Sequence, residues 1–175
     1  ATGAQKAEGP AIRKLDDPRL AQFRKALTDV MQDVAIQVVC DGEGVSKLMT
    51  VDVFGAEDDA AARRIGLAIG NSPLVKTAVA GADANWGRIV MAVGKSGERV
   101  DRDCLSIEIG GHKVARRGRV VPGYDEAPVA RHMQGQRIHI AVDVGAAGGK
   151  AKGRTRIWAS DLTHGYISIN ADYRS

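Results

Sequence analysis

A strand with one buried face, Arg137–Val144, constrains the fold more than any other stretch of the sequence. Its apolar residues alternate with Arg137, His139 and Asp143, which is the two-residue period of a β-strand. Residues 48–54 alternate in the same way. We interpret His139 as a solvent-facing strand residue and not as a catalyst, because no Ser or Cys stands at a recognisable nucleophile elbow.

A hairpin and two further strands complete the predicted sheet. Leu105–Ile109 and His112–Ala115 flank a pair of glycines, which can supply the positive φ angles of a tight turn. The short apolar run Ile89–Val93 is predicted to be a buried strand, and Thr155–Ser160 is predicted to be another. The intervening Gly145–Gly153 is predicted to be a flexible loop, because it is rich in Gly and Ala.

The longest helix is predicted over Leu20–Val38. Asp17 is a suitable N-cap, and Pro18 can occupy the first helical position, where its missing N–H costs nothing. The apolar residues that follow recur at three- and four-residue spacing, so we predict that they are core and that they face a sheet. Shorter helices are predicted at 57–70, 74–80 and 124–133.

The order of these elements favours one class of fold. Helices and strands show no regular β-α-β alternation, which indicates an α+β architecture with a layered mixed or antiparallel sheet and packed helices. We assign residues 1–15 to a mobile lead-in, because they lack any periodicity, and residues 16–175 to the α+β portion.

A polar loop, Gly81–Ile89, is predicted to join a short helix to the strand that follows it. Asp83, Asn85 and Arg88 are costly to bury without partners, so we expect this loop to be ordered. One interpretation is a polar turn capped by a packed Trp86. The alternative is that its polar side chains shape a functional site.

Glu43 is a second candidate for function, because it stands between Gly42 and Gly44 directly after the long helix. Flanking glycines let the backbone come close to a ligand. Lys47 is placed to pair with Glu43 or to share a polar substrate with it. A solvated turn is the alternative interpretation, and the segment does not match a phosphate-binding loop.

Composition limits the other classes of function. The net charge is +4 and the pI is about 9.2, but the bases are scattered and the densest run, His112–Arg119, lacks an aromatic stacking platform. We therefore do not favour a nucleic-acid partner. Cys40 and Cys104 belong to no C-x-x-C pair, so neither a metal site nor a disulfide framework is indicated. The sequence shows no membrane span or secretion signal, and we expect a cytoplasmic location.

Four motifs together resemble one enzyme family, the bifunctional ornithine acetyltransferase/N-acetylglutamate synthase family. The resemblance runs from about Phe23 to the last residue and is carried by motifs that occur in the family's order. They are Asp41–Gly44 with Lys47, Asn71–Thr77, Gly81–Ile89, and the ending Asp161–Tyr166 with Asn170–Ser175.

The resemblance implies a role in arginine biosynthesis. Members move an acetyl group from N-acetylornithine to glutamate, and some also use acetyl-CoA as a substrate, with no other cofactor and no metal. They cleave themselves at an Ala-Thr bond, and the new N-terminal threonine of the β chain becomes the nucleophile that carries the acetyl group. The fold implied is of the N-terminal-nucleophile-like type that also includes the DmpA aminopeptidase.

The start of this sequence departs from the family pattern. Ala1–Gly3 looks like the cleavage dipeptide followed by glycine, but it leads into a polar segment and not into an apolar one. Thr2 resembles instead the end of a later strand. We therefore interpret the chain as a C-terminal piece of the β chain, with no catalytic residue of its own and the nucleophilic threonine upstream.

Three substrate contacts carry over from the family: Glu43, Asn170 and Ser175. A carboxylate suits the ammonium of an amino-acid substrate, and an amide or hydroxyl can bond either end of it. Lys47, Asp83, Asn85 and Arg88 are assigned supporting roles. The implied partners are the α chain and the N-terminal part of the β chain of the same precursor, assembled as two α and two β chains. The alternative is a non-catalytic substrate-binding or assembly module.

Overall fold

The computed structural model describes residues 11–172, and the chain divides into two units, Ala1–Gln37 and Val38–Ser175. Thr2, Ser175 and most of the predicted lead-in lie outside the described residues. Among the residues that are described, no helix is long and apolar enough to cross a membrane.

The long helix forms as predicted, but its apolar stripe is not core. A 3₁₀ turn, Pro18–Leu20, leads into α1 (Ala21–Cys40), and the Asp17 carboxylate accepts a hydrogen bond from the Arg19 amide at 3.0 Å. None of the residues of α1, all of which the structure describes, is buried, and Phe23 is 62% exposed. The prediction of core was wrong because helical periodicity reveals an apolar face without revealing what covers it.

One mixed sheet forms the centre of the second unit. Within the described residues it has six strands in the order β4-β3-β2-β5-β1-β6, with β1 parallel to β5 and every other neighbouring pair antiparallel. The strands are β1 (Leu48–Ala56), β2 (Ser106–Ile109), β3 (His112–Arg116), β4 (Arg119–Val120), β5 (Arg137–Asp143) and β6 (Gly153–Ser160).

Helices are packed with this sheet around a single apolar core. Val51 of β1 is paired with Ile140 of β5 and Ile157 of β6, and α2 packs over β1 and β6. The core also takes residues from α3, α4 and α5, which confirms the predicted α+β class. The helices are α2 (Asp59–Gly70), α3 (Pro73–Ala80), α4 (Trp86–Lys95), α5 (Glu126–Met133), α6 (Ala146–Gly149) and α7 (His164–Ala171).

The predicted strand Ile89–Val93 is wrong, because these residues belong to α4. The Asn85 side chain accepts a hydrogen bond from the Arg88 amide and so caps the helix, and Ile89, Ala92 and Val93 form its buried face. A short apolar run fits either a buried strand or a helix, and here the polar cap before the run decides between them. The loop Gly81–Ile89 therefore connects two helices.

The hairpin, α2, α3, α5 and β6 follow the predictions, whereas the helix α7 and the short strand β4 were not predicted. The hairpin β2–β3 turns at Gly110 and Gly111, whose φ angles are +59° and +80°, as the tight turn requires. The predicted loop Gly145–Gly153 contains the four residues of α6, but Ala147 and Gly148 within it have left-handed backbone angles.

Candidate functional site

The turn that carries Glu43 lies directly against the start of α7. The Thr163 hydroxyl donates a hydrogen bond to the Gly44 carbonyl at 2.6 Å, and it also accepts one from the Gly165 amide, which caps α7. Gly44 has φ +70°, and a Cβ placed there would meet the Tyr166 nitrogen at 2.3 Å. Two segments separated by more than a hundred residues are thus in close backbone contact.

A second set of hydrogen bonds joins the same two segments two residues after Gly44, at Ser46. The Ser46 amide donates to Asp161 Oδ1 at 2.9 Å, and the Ser46 hydroxyl bonds the other carboxylate oxygen. Asp161 is only 3% exposed, so these bonds satisfy a carboxylate that would otherwise be costly to bury. The Asp161 amide in turn donates to the Lys47 carbonyl at 3.1 Å.

These contacts place Glu43 and Asn170, which are both exposed, on the same end of the unit. No hydrogen bond of the Glu43 carboxylate is seen within residues 11–172. Gly165 packs against Gly44, and Asn170 lies five residues further along α7, which is about 7.5 Å along the helix axis. Its amide nitrogen donates one N–H to the Tyr166 carbonyl at 2.9 Å, which leaves its side-chain oxygen and a second N–H for a ligand.

A cleft of about 440 Å³ lies between the end of α3 and the start of α7. Thr77, Ala80 and Gly81 form one wall, and Leu162, Thr163, His164 and Ile167 form the other. This volume is within the range of small-molecule sites. The cleft therefore adjoins both the Glu43-bearing turn, through Thr163, and the Gly81–Ile89 loop.

The polar residues of that loop are mostly engaged with each other and with α3. The Asn85 amide donates to Asp83 at 3.1 Å. The Arg88 guanidinium donates to the Leu74 carbonyl at 2.9 Å and to the Thr77 hydroxyl at 3.3 Å. The loop is ordered, as predicted, and these contacts fix the position of α4 relative to the wall of the cleft.

The Lys47 side chain is hydrogen-bonded to two backbone carbonyls. Its ammonium donates to the carbonyl of Met133 at 2.7 Å and to that of Val79 at 3.0 Å. These carbonyls lie at the last residue of α5 and next to the last residue of α3, where a helix leaves carbonyls without intrahelical partners, although the Val79 carbonyl also accepts the Ala82 amide at 3.1 Å. Lys47 thus holds the ends of two helices at the start of β1, and the structure records no bond between it and Glu43 among the described residues.

A buried carboxylate with two partly exposed partners, which the sequence did not predict, lies elsewhere on the sheet. Asp52 of β1 is 5% exposed and accepts two bonds from the Arg156 guanidinium, at 2.6 and 2.7 Å, across the β1–β6 pair. His139 Nε2 lies 2.9 Å from the same carboxylate. Bonding to Arg156, helped by His139, lowers the pKa of Asp52 despite its burial. The His139 side chain is 43% exposed, in agreement with the predicted solvent-facing position, but it also contacts a buried acid, which the sequence did not indicate.

Sequence reasoning missed the residues that anchor the Glu43-bearing turn. Ser46, Asp161 and Thr163 were not singled out, although Asp161 and Thr163 lie within a motif that carried the family resemblance. A signal was available, because a Thr or Asp directly before a helix is the usual N-cap, and Thr163 caps α7. Its second bond, to Gly44, joins distant segments and has no local sequence pattern.

The model of the ArgJ family matches residues 1–175. The chain belongs to the ArgJ family. The resemblance to the ornithine acetyltransferase/N-acetylglutamate synthase family is thereby confirmed, and the crystal structure of ArgJ from Bacillus halodurans confirms the related fold type.

Named relatives and a solved structure agree with this assignment. The chain is 56% identical to the arginine biosynthesis bifunctional protein ArgJ of Gluconobacter oxydans over 97% of its length, and 54% identical to that of Zymomonas mobilis, also over 97%. It spans only 39% and 40% of the length of these relatives. The crystal structure of ArgJ from Bacillus halodurans matches with a TM-score of 0.85 and 36% identity, covering 92% of this chain and 74% of that one.

Proposed function

We propose that this ArgJ-family chain forms one wall of the active site of an acetyltransferase that moves acetyl from N-acetylornithine to glutamate. The observation that supports this best is the anchoring of the Glu43-bearing turn on the segment that begins α7. This anchoring brings Glu43 and Asn170, two side chains suited to an amino-acid ligand, to the same end of the unit Val38–Ser175. Arginine biosynthesis is named as the role of the relatives to which the chain is similar.

Each proposed contact has a distinct chemical task. Glu43 is exposed and negatively charged, so it binds the ammonium of ornithine. Asn170 offers its side-chain oxygen and its remaining N–H to the same substrate, because only one N–H is held by the Tyr166 carbonyl. Ser175, which lies outside the described residues, adds a hydroxyl that can bond either end of the ligand. Asp83, Asn85 and Arg88 shape the neighbouring cleft without touching the reacting atoms.

The nucleophile in this proposal comes from polypeptide that precedes the chain in the whole enzyme. A threonine with a free amine can attack the acetyl carbonyl, form an acetyl-threonine ester, and release ornithine; glutamate then takes the acetyl group from the ester. The whole enzyme would contain the α chain and the N-terminal part of the β chain, assembled as two α and two β chains. Acetyl-CoA would serve as an alternative acetyl donor.

Substitution of the two proposed contacts in the full-length enzyme tests the assignment. Glu43→Ala or Asn170→Ala should raise the apparent KM for N-acetylornithine tenfold or more, because a hydrogen bond to a charged group contributes about 1.5–3 kcal/mol. Asp41→Ala, in the same turn, and Ser168→Ala, on the same helix, are the matched controls. They should leave KM within twofold, and an unchanged KM in the first pair would refute the proposed contacts.

A complementation assay tests the proposed incompleteness of the site. The purified 175-residue chain is incubated with N-acetylornithine and glutamate, with and without the preceding segments supplied as a separate chain. We expect acetyl transfer only with the added segments. Activity of the chain alone, with an acetyl ester on Thr2 detected by mass spectrometry, would show that the nucleophile lies within it.

A further inference from the structure

We propose that the contacts between the Glu43-bearing turn and the start of α7 are a positioning device for the Glu43 carboxylate that binds the substrate ammonium, an inference that rests on the proposed function. The device, called here the turn anchor, consists of Gly44, Ser46, Asp161 and Thr163. Thr163 also lines the cleft, but its hydroxyl is engaged by Gly44 and Gly165. The four residues fix the position of Glu43 relative to α7, and hence to Asn170.

Geometry distinguishes the turn anchor from an ordinary loop contact. Glu43 is exposed and lies immediately before Gly44, whose carbonyl accepts the Thr163 hydroxyl at 2.6 Å. Two residues after Gly44, Ser46 is bonded to Asp161 through both its amide and its hydroxyl. The backbone is therefore held on the C-terminal side of Glu43 at two points, and both points of attachment lie just before α7.

Thr163 is the residue at which the anchor can be separated from helix stability. Its hydroxyl donates to Gly44 and accepts from Gly165, so it serves the turn and the helix cap together. Aspartate is an equally good N-cap, but a carboxylate has no proton to donate to the Gly44 carbonyl and repels it. Thr163→Asp thus keeps the cap and removes the anchor, whereas Thr163→Ser keeps both.

Steady-state kinetics of the full-length enzyme provide the first test. Thr163→Asp should raise the KM for N-acetylornithine about fivefold, as expected for one lost hydrogen bond, with kcat within twofold of the unsubstituted enzyme. Thr163→Ser should restore KM. A merely structural role would instead reduce the fraction of folded enzyme, which lowers kcat and leaves KM unchanged; that result would overturn the proposal.

A double-mutant cycle asks whether the anchor acts through Glu43. If it does, Thr163→Asp should raise KM by less than twofold in a Glu43→Gln background, because the group that it positions is already altered. A full fivefold effect in that background would overturn the turn anchor and leave the Glu43 contact standing. If Glu43→Gln alone leaves KM unchanged, the Glu43 contact fails and the anchor's role in positioning fails with it.

Ser46→Ala is a second variant that does not disturb the α7 cap. It removes the hydroxyl bond to Asp161 but keeps the amide bond, so we expect a smaller rise in KM, about twofold to threefold, with kcat retained. Ser72→Ala, which removes the N-cap of α3 instead, is the control and should not change KM. If Ser46→Ala and Ser72→Ala had equal KM values, the turn anchor would be overturned, even if Thr163→Asp did not fold.

Discussion

Gly44 lies so close to Tyr166 that a Cβ on Gly44 would be 2.3 Å from the Tyr166 backbone nitrogen. The same atom would be 2.6 Å from the Gly165 carbonyl carbon. Because these are backbone atoms, they cannot turn aside as a flexible side chain can. Glycine at 44 is therefore required by the approach of two chain segments as well as by its φ angle of +70°.

Gly44→Ala should destabilise the protein well beyond the cost of its backbone angle. Gly123 is a matched control, because its φ is +71° and a Cβ there would meet nothing within 4 Å. We expect Gly123→Ala to cost about 1–2 kcal/mol from the left-handed backbone alone, and Gly44→Ala to cost about 1–3 kcal/mol more from overpacking. Urea unfolding of both variants measures the difference. Equal losses in the free energy of unfolding for the two variants would mean that the turn moves away from α7 to accommodate the added methyl group at no cost.

Elements with a strong period were predictable from the sequence, and contacts between distant elements were not. β1, β5 and the β2–β3 hairpin follow from alternation and a glycine pair, which are local properties. The apolar run of α4 was misassigned because five apolar residues fit both periods. The α1 stripe shows the second limit, since periodicity identifies an apolar face but not the surface that covers it.

The candidate site shows the same division between local and distant information. Glu43 was found because its flanking glycines are visible in the sequence. Thr163 and Asp161 act on that turn across more than a hundred residues, and such pairing depends on the topology of the sheet. Lys47 was expected beside Glu43, but the folded chain brings two carbonyls to it.

The buried Asp52 carboxylate and its partly exposed partner Arg156 should make stability depend on pH in the acid range. Bonding to Arg156 keeps the pKa of Asp52 below its usual value of 3.8 in the folded protein. The stability that the Asp52 carboxylate contributes is therefore fully present above the pKa of Asp52 in the unfolded chain, near pH 4. It is lost as the pH falls through the lower pKa that Asp52 has in the folded protein.

Asp52→Asn should lower the free energy of unfolding by about 1.5–3 kcal/mol at neutral pH, because it removes charge-assisted bonds to Arg156 and to His139. The difference from the unsubstituted protein should shrink steadily once the pH is below 4. Glu57→Gln, which alters an exposed pair with Arg99, is the control and should change stability little at any pH. A difference that stayed constant down to pH 2 would contradict the lowered pKa of Asp52.

Asn85 should prove to be a structural cap whose side chain is replaceable by another cap. Its oxygen accepts the Arg88 amide at 3.3 Å at the start of α4. Asn85→Ala should cost about 1 kcal/mol of stability, and Asn85→Asp should recover most of it, because both Asn and Asp are favoured N-caps. Thermal unfolding of the two variants is the measurement. Equal losses would indicate that the Asn85 amide's bond to Asp83, and not the cap, holds the loop.

Lys47→Met tests whether this lysine supports the fold or contacts substrate. Met keeps most of the apolar stem but cannot donate, so the carbonyls of Val79 and Met133 lose a charged partner. We expect a loss of about 2–3 kcal/mol in the free energy of unfolding, whereas Lys95→Met, on an exposed part of α4, should change it by less than about 0.5 kcal/mol. In the full-length enzyme the KM for N-acetylornithine should stay within twofold, because the ammonium is already engaged by backbone. A large rise in KM with unchanged stability would instead place Lys47 in contact with the substrate, and would mean that it leaves the two carbonyls when the ligand binds.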